Sequence, residues 1–388
     1  MRVRGALVAS ALALGGLALA VAPAGAQGAG TVTLEASPDT VVFGETVRLS
    51  GSIDPASAGE TIEIRAADDT LIASATTGAR GNYSVAFEPR ANVVLHAVWG
   101  SATSEPVSVR VRAIVDVSLG TVRLFDRAVA RGTVRPIHTG ADVEVRLMLG
   151  SKVVATRTPA IGSAGGFSTS FAIERPGTYR VRARFADEDH LAGTAVSRTR
   201  TTPLPSLRQG SHSRFVRLLE RRLVELNYRL VGINDTFDFR TADAVMAFRK
   251  VQRMTRTGTV DEAVWRKLAD PIVPRPLMDR RAFHVEVDQS RQVLYVVDER
   301  VVIDIIHVST GKASTPTRDG SFRVRYKVPG YTPKRLYYAS FFDGQRAIHG
   351  WPEVPSYPAS HGCVRVPYWH AKWIFGITPV GTPVRVYH

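Results

Sequence analysis

One stretch of this 388-residue chain concentrates reactive side chains: AIHGWPEVPSYPASHGCVRVPYWHAKWIF, from Ala347 to Phe375. It holds His349, His361 and the only cysteine, Cys363. A thiol attacks a carbonyl as thiolate, and a paired imidazole lowers its pKa from the free value near 8.5. The same imidazole can then return the proton to a leaving amine. The pairing therefore suits acyl transfer through a thioester. Gly362 permits a tight backbone before Cys363, so that amides near Cys363 can point at a developing oxyanion. Two histidines compete for the role of base. His361 lies two residues from Cys363, and residues i and i+2 share a side in an extended segment. His349 closes a strand-like run, RAIHG, and the loop after it can fold it against the thiol. Spacing leaves both open. Two histidines and a cysteine are also zinc-type ligands, but no zinc spacing is present. No metal and no cofactor is expected.

The stretch resembles the catalytic motif of the L,D-transpeptidase family (the YkuD type). The motif is an upstream His-Gly, a variable loop, then Ser/Thr-His-Gly-Cys followed by an apolar residue and Arg or Asn. Here it reads Ile348-His349-Gly350, then Ser360-His361-Gly362-Cys363-Val364-Arg365. HVSTGKASTPTRDGSFRV is similar to the family's supporting segment, with Arg318 where Pro is usual. AKWIF and GTPVRV resemble its closing helix and strand. The resemblance implies Cys363 as nucleophile and His349 as general base. It implies that Gly350 orients the imidazole through its carbonyl, that His361 shapes the loop and assists electrostatically, and that Ser360 and Gly362 belong to the oxyanion loop. Arg365 holds a substrate carboxylate or makes a structural ion pair. Tyr338 and Trp351 line a substrate groove or pack in the core. Ten residues separate His349 from Ser360, short for the family. The implied reaction is a 3→3 peptidoglycan cross-link, with D-Ala released from a donor tetrapeptide stem and peptidoglycan stem peptides and glycan as partners. The alternatives are an L,D-carboxypeptidase, an exchange enzyme, a protein-to-wall anchoring enzyme, or a non-catalytic wall-binding protein. A carbapenem adduct on the thiol is a further implication.

The elements that must position these residues are legible around them. Residues 281–388 alternate in HVEVDQSRQVLYVVD and RVVIDIIHVST, as paired strands do, with one short helix after Pro367. Residues 207–270 switch to helical periodicity. Val216, Leu219, Leu223 and Leu226 form one apolar face, Asp243 to Val251 a second helix, and GTVDEAVWRKL a third with Asp261 as N-cap. This segment resembles the three-helix peptidoglycan-binding domain, with Asp235-Thr236 and Phe248-Arg249 replacing the usual Asp-Gly and Phe-Gln. TTPLPSL, Thr201–Leu207, reads as a linker. Residues 30–113 and 114–202 are strand-rich, with a weak repeat at an offset of 82 residues. They resemble bacterial immunoglobulin-like modules and are expected to act as spacers. The fold expected is thus multidomain and mainly β: two Ig-like β-sandwiches, a small three-helix peptidoglycan-binding domain and a β-rich L,D-transpeptidase catalytic domain.

Residues 1–26 read as a signal peptide: Arg2 and Arg4, an apolar run from Ala6 to Ala22, then Ala24-Gly25-Ala26. The protein is expected to be secreted to the cell wall or periplasm, with an uncleaved membrane anchor as the alternative. The formal charge of +15 favours polyanions such as an acidic wall. Basic residues are spread along the chain and no nucleic-acid motif occurs, so no nucleic-acid partner is expected. The sequence leaves the oligomeric state open.

Overall fold

The structure is a computed structural model describing residues 30–278 and 282–388. The expected leader, residues 1–26, and Arg281 lie outside the described residues. The chain divides into two compact units, residues 30–112 with 188–191, and residues 113–187 with 192–388.

The repeat seen in the sequence has a structural counterpart. In the first unit, Val47–Asp54 pairs antiparallel with Asn82–Phe87, and Thr61–Ala66 pairs with Val93–Trp99 in another sheet. In the second unit, Arg127–Arg135 pairs with Gly166–Ala172, and Glu144–Leu149 with Thr178–Phe185. First pairs with third and second with fourth in each copy. Alternation then points one side of each strand inward. Leu49, Ile62, Ile64 and Leu95 fill the first core, and Ala130, Val145, Leu147, Phe171 and Phe185 the second.

Three helices follow: α1 (Arg214–Glu225), α2 (Phe239–Val251) and α3 (Glu262–Ala269). The periodic positions Val216, Leu219 and Leu223 are buried as expected. Helix α2 starts four residues earlier than its apolar pattern indicates, because the Asp238 carboxylate accepts from the N–H of Arg240 and Thr241 at 2.8 and 3.1 Å. Asp261 caps α3 through the Val264 N–H at 2.9 Å.

The C-terminal domain has two sheets. One runs β3 (Val301–His307), β2 (Val293–Asp298), β1 (His284–Asp288), β9 (Pro383–Tyr387), β4 (Gly320–Arg323). The other runs β5 (Tyr326–Tyr331), β6 (Tyr337–Asp343), β7 (Arg346–Trp351), β8 (Val364–Pro367). Val285, Val296, Ile306, Phe342, Ile348, Val364 and Val386 pack between them, with Ala371 and Ile374 of α4 (Tyr368–Ile377). Strands β7 and β8 are parallel, so the chain must cross over between them, and that crossover carries residues 352–363.

The expectation of a linker at Thr201–Leu207 is corrected. Leu207 is buried and exchanges backbone hydrogen bonds with Val260 at 2.9 and 2.8 Å. One hydrophobic cluster joins Leu124 of the second sandwich, Leu219 and Phe248 of the helices, and Tyr295 and Ile305 of the C-terminal domain. Apolar side chains on three segments bury one another, which removes the freedom a Pro-containing linker suggests.

Candidate active site

The parallel pair β7–β8 builds the site. His349 stands in register with Arg365, and Ile348 with Val364. Side chains alternate along a strand, so Ala347, His349 and Trp351 project to one face, and Ile348 and Gly350 to the other, where α4 packs. Cys363 precedes β8 by one residue and is two residues from Arg365. The thiol and the imidazole therefore share a face. The Ala347 N–H is directed at the thiol, and the thiol donates a long hydrogen bond to Gln345 O at 3.8 Å.

His349 is buried, and its Nδ1 lies 2.9 Å from Gly350 O. A carbonyl only accepts, so Nδ1 carries the hydrogen and Nε2 is left with a lone pair. The ring meets Trp351 edge to face at 5.7 Å. Burial pushes the His349 pKa down to about 4, and the Arg365 charge adds to this. Burial also pushes the Cys363 thiol up, against the opposing pull of the Ala347 N–H and Arg365. The resting pair is thus neutral imidazole and neutral thiol. The sequence suggested a thiol depressed by its histidine; desolvation of both groups, which disfavours charge on either, reverses that.

His361 is exposed and makes no hydrogen bond among the described residues. The i, i+2 argument fails for it because Gly362 has φ +106°, so the backbone is not extended there. A Cβ at that glycine would also sit 2.9 Å from Arg346 Nε. The same turn revises the oxyanion reading. The Gly362 N–H donates to Ser360 Oγ at 3.1 Å and is occupied. The Cys363 N–H has no partner among the described residues. Ser360 Oγ in turn donates to Cys363 O at 2.6 Å, which closes the loop on itself.

Arg365 makes no ion pair among the described residues; its guanidinium lies 4.9 Å over the Trp351 ring. Trp351 is therefore on the site's face. Tyr338 is not: its ring contacts are Tyr337 and Phe375, at 4.8 and 5.2 Å, on the α4 side. A bulge between Tyr337 and Ser340 shifts the register of β6 there.

Residues that the sequence reading did not single out support the loop. Thr317 Oγ1 accepts from the Gly311 N–H and donates to Gly362 O, at 2.9 and 3.0 Å. Thr315 Oγ1 donates to Ser360 O at 3.2 Å. Their signal was the STGKASTPT string, where hydroxyls alternate with tight turns. Arg318, the departure from the family pattern, makes a two-pronged pair with Asp343 at 3.0 and 2.6 Å. A cavity of about 280 Å³, lined by Val328, Lys334, Leu336, Phe341 and Gln345 among others, opens beside the thiol's acceptor Gln345.

Gly350 is required on steric grounds. A Cβ there would stand 2.6 Å from Ala371 Cβ and 3.1 Å from the Tyr337 ring. Gly350→Ala is expected to cost about 1–3 kcal/mol by overpacking and to move the carbonyl that holds the imidazole. Thermal unfolding and turnover check this; unchanged values for both would reject it.

Residues 282–386 match the family model described as the L,D-transpeptidase catalytic domain, and residues 212–268 match that of a peptidoglycan binding domain. The chain belongs to the L,D-transpeptidase family. It is similar to the structure of an L,D-transpeptidase (residues 123–326) from Xylanimonas cellulosilytica, at 30% identity over 48% of this chain and 99% of that one, TM-score 0.45. It is similar to the catalytic domain of the Enterococcus faecium L,D-transpeptidase, at 26% identity over 28% and 100%, TM-score 0.26. L,D-transpeptidase 1 of Mycobacterium tuberculosis is 24% identical over 28% and 62%, TM-score 0.23. No curated protein matches the chain. For an L,D-transpeptidase with a peptidoglycan-binding domain, peptidoglycan is the implied substrate.

Proposed function

We propose that this protein is an exported L,D-transpeptidase that forms 3→3 cross-links through a thioester on Cys363. The observation that carries the reading is the shared face of Cys363 and His349, with His349 Nδ1 fixed on Gly350 O and its Nε2 lone pair available. In the first half-reaction Cys363 Sγ attacks the carbonyl of the L-centre diamino acid at stem position three. The thiol proton passes to His349 Nε2. The oxyanion of the tetrahedral adduct takes the Cys363 N–H. The adduct collapses, D-Ala leaves with the proton from His349, and a thioester remains. In the second half-reaction a side-chain amine of a neighbouring stem attacks the thioester. His349 takes its proton and returns it to the departing thiol. Arg365, which makes no ion pair among the described residues, feels the charge of Glu353 and lies 4.9 Å over the Trp351 ring, is the group that suits the terminal carboxylate of the donor.

The test is product analysis on purified disaccharide-tetrapeptide by liquid chromatography and mass spectrometry. Cross-linked dimer and free D-Ala are the expected products. Tripeptide alone would transfer the assignment to a carboxypeptidase, and no product at all would reject catalysis on this substrate.

The pH dependence follows from the neutral pair. The base is lost only when pH falls through about 4, the His349 value. The thiol ionises only above its ordinary range. Turnover (kcat/KM) is therefore expected to be flat from roughly pH 5 to 8 and to fall on the acid side, with no limb near neutrality. Alkylation of the thiol by iodoacetamide, which needs thiolate, should rise about tenfold per pH unit across the same range. A limb near neutral pH in turnover, or rapid alkylation at mildly acid pH, would mean a preformed thiolate–imidazolium pair and would refute the neutral one.

A further inference from the structure

We propose that the helical module is a positioning element of the active site, holding the loop between base and nucleophile through Arg256 and through Lys250 acting on His307. This rests on the transpeptidase reading. The loop, residues 352–359, contains no strand or helix, and among the described residues no hydrogen bond joins its own members. Among the described residues, four bonds tie its backbone down. Ser309 Oγ donates to Tyr357 O at 2.7 Å, and the Ala359 N–H donates to Thr310 O at 2.9 Å, both from within the catalytic domain. The other two depend on the helical module. Arg256, just after α2, donates from Nη1 to Ser356 O at 2.9 Å and from Nη2 to Ser290 O at 2.7 Å. His307 Nε2 donates to Val354 O at 2.6 Å.

Lys250, in the last turn of α2, governs that last bond. Its Nζ lies 2.9 Å from Gln292 O, 2.9 Å from Val308 O and 2.6 Å from His307 Nδ1. Val354 O only accepts, so His307 carries its hydrogen on Nε2 and takes the lysine hydrogen on Nδ1. The lysine hydrogen on Nδ1 and the Val354 carbonyl at Nε2 together fix the tautomer that reaches the loop. Lys250 and His307 are each 2% exposed. A module acting only as a wall tether has no need of a lysine seated inside the neighbouring domain. The seat is kept rigid by Phe239 against Trp369, ring centres 4.7 Å apart, and by Arg229 3.5 Å over the Trp373 ring.

The brace connects to the chemistry through Ser309. That residue holds Tyr357 O and exchanges both backbone bonds with Arg365, at 3.1 and 2.9 Å. Arg365 lies over Trp351 and in register with His349. A slack loop therefore disturbs the substrate's path more than it disturbs the nucleophile or base, which sit on or beside their own sheet.

The experiment compares R256A and R256K with wild type in the full chain, by turnover of disaccharide-tetrapeptide and by amide hydrogen exchange. In R256A the KM is expected to rise about tenfold with kcat changed less, and residues 352–359 are expected to exchange faster. R256K, which keeps one donor, is expected to recover part of both. Partial loss of folded protein would lower apparent kcat and leave KM unchanged, so the split separates positioning from stability. A KM within about twofold of wild type, or unchanged loop exchange, overturns the proposal. Should R256A not fold, R256Q is read in the same way. A wild type without turnover counts against the transpeptidase reading alone, because the exchange comparison still decides whether the brace exists.

Discussion

Cys363→Ser is expected to lower turnover by a factor on the order of 10⁴ or more, as loss of a nucleophile does in acyl-transfer enzymes. The thiol and hydroxyl differ little in size, but a hydroxyl is a far weaker acid. The base available to it has been pushed down to about 4 by burial, which suits a partner that gives up its proton as the carbon–sulfur bond forms. An imidazole so weak cannot deprotonate an alcohol at a useful rate. Cys363→Ala should remove turnover to the same extent and also abolish any carbapenem adduct by intact mass. Neither substitution should cost much stability, because the hydrogen bond that the thiol donates is the long contact to Gln345 O at 3.8 Å. Equal thermal midpoints with lost turnover are the expected pair of results. Residual cross-linking above a hundredth of the wild-type rate in the alanine variant would remove Cys363 from the mechanism.

The reactive cluster was legible because chemistry of this kind needs particular residue types close together, and a lone cysteine just after two histidines is a local signal. Spacing did not choose between the histidines; only the resemblance to the family did. That choice turns on the positive φ of Gly362, a single backbone angle that carries His361 outward, and on the pairing of β7 with β8, which brings His349 back across the crossover loop. Protonation states were illegible for a related reason. Spacing reports that an imidazole and a thiol can meet, whereas burial decides whether either bears charge when they do. The sandwich repeat was readable from alternation alone, since each strand's inward side needs only to be apolar. Helix α2 shows the limit of that logic. Its Arg249 and Lys250 belong on a solvated face by composition, yet they are 4% and 2% exposed. Arg249 is satisfied by Thr259 O and Asp261, and Lys250 by carbonyls of another domain. Amphipathic periodicity identifies a buried side but not the partner that buries it, and so the packing of this module on the catalytic domain was not legible.

His349→Ala is expected to reduce turnover at neutral pH by about 10²–10⁴, the range that a positioned general base contributes. The shape of the remaining activity distinguishes this role from a packing role. Without the imidazole, attack requires thiolate formed by the solvent, and the thiol's raised pKa keeps that fraction small near neutrality. Residual kcat/KM should therefore climb about tenfold per pH unit toward alkaline pH, while the wild type stays flat. The two profiles converge as pH nears the thiol's own ionisation. His349→Gln is the second arm of the test. It preserves much of the buried volume against Trp351, so a loss of activity as deep as that of alanine, with better stability, assigns the defect to the lone pair and not to the cavity. A pH-independent residual rate in both variants would mean that His349 holds the Trp351–Arg365 stack in place and that another group takes the proton.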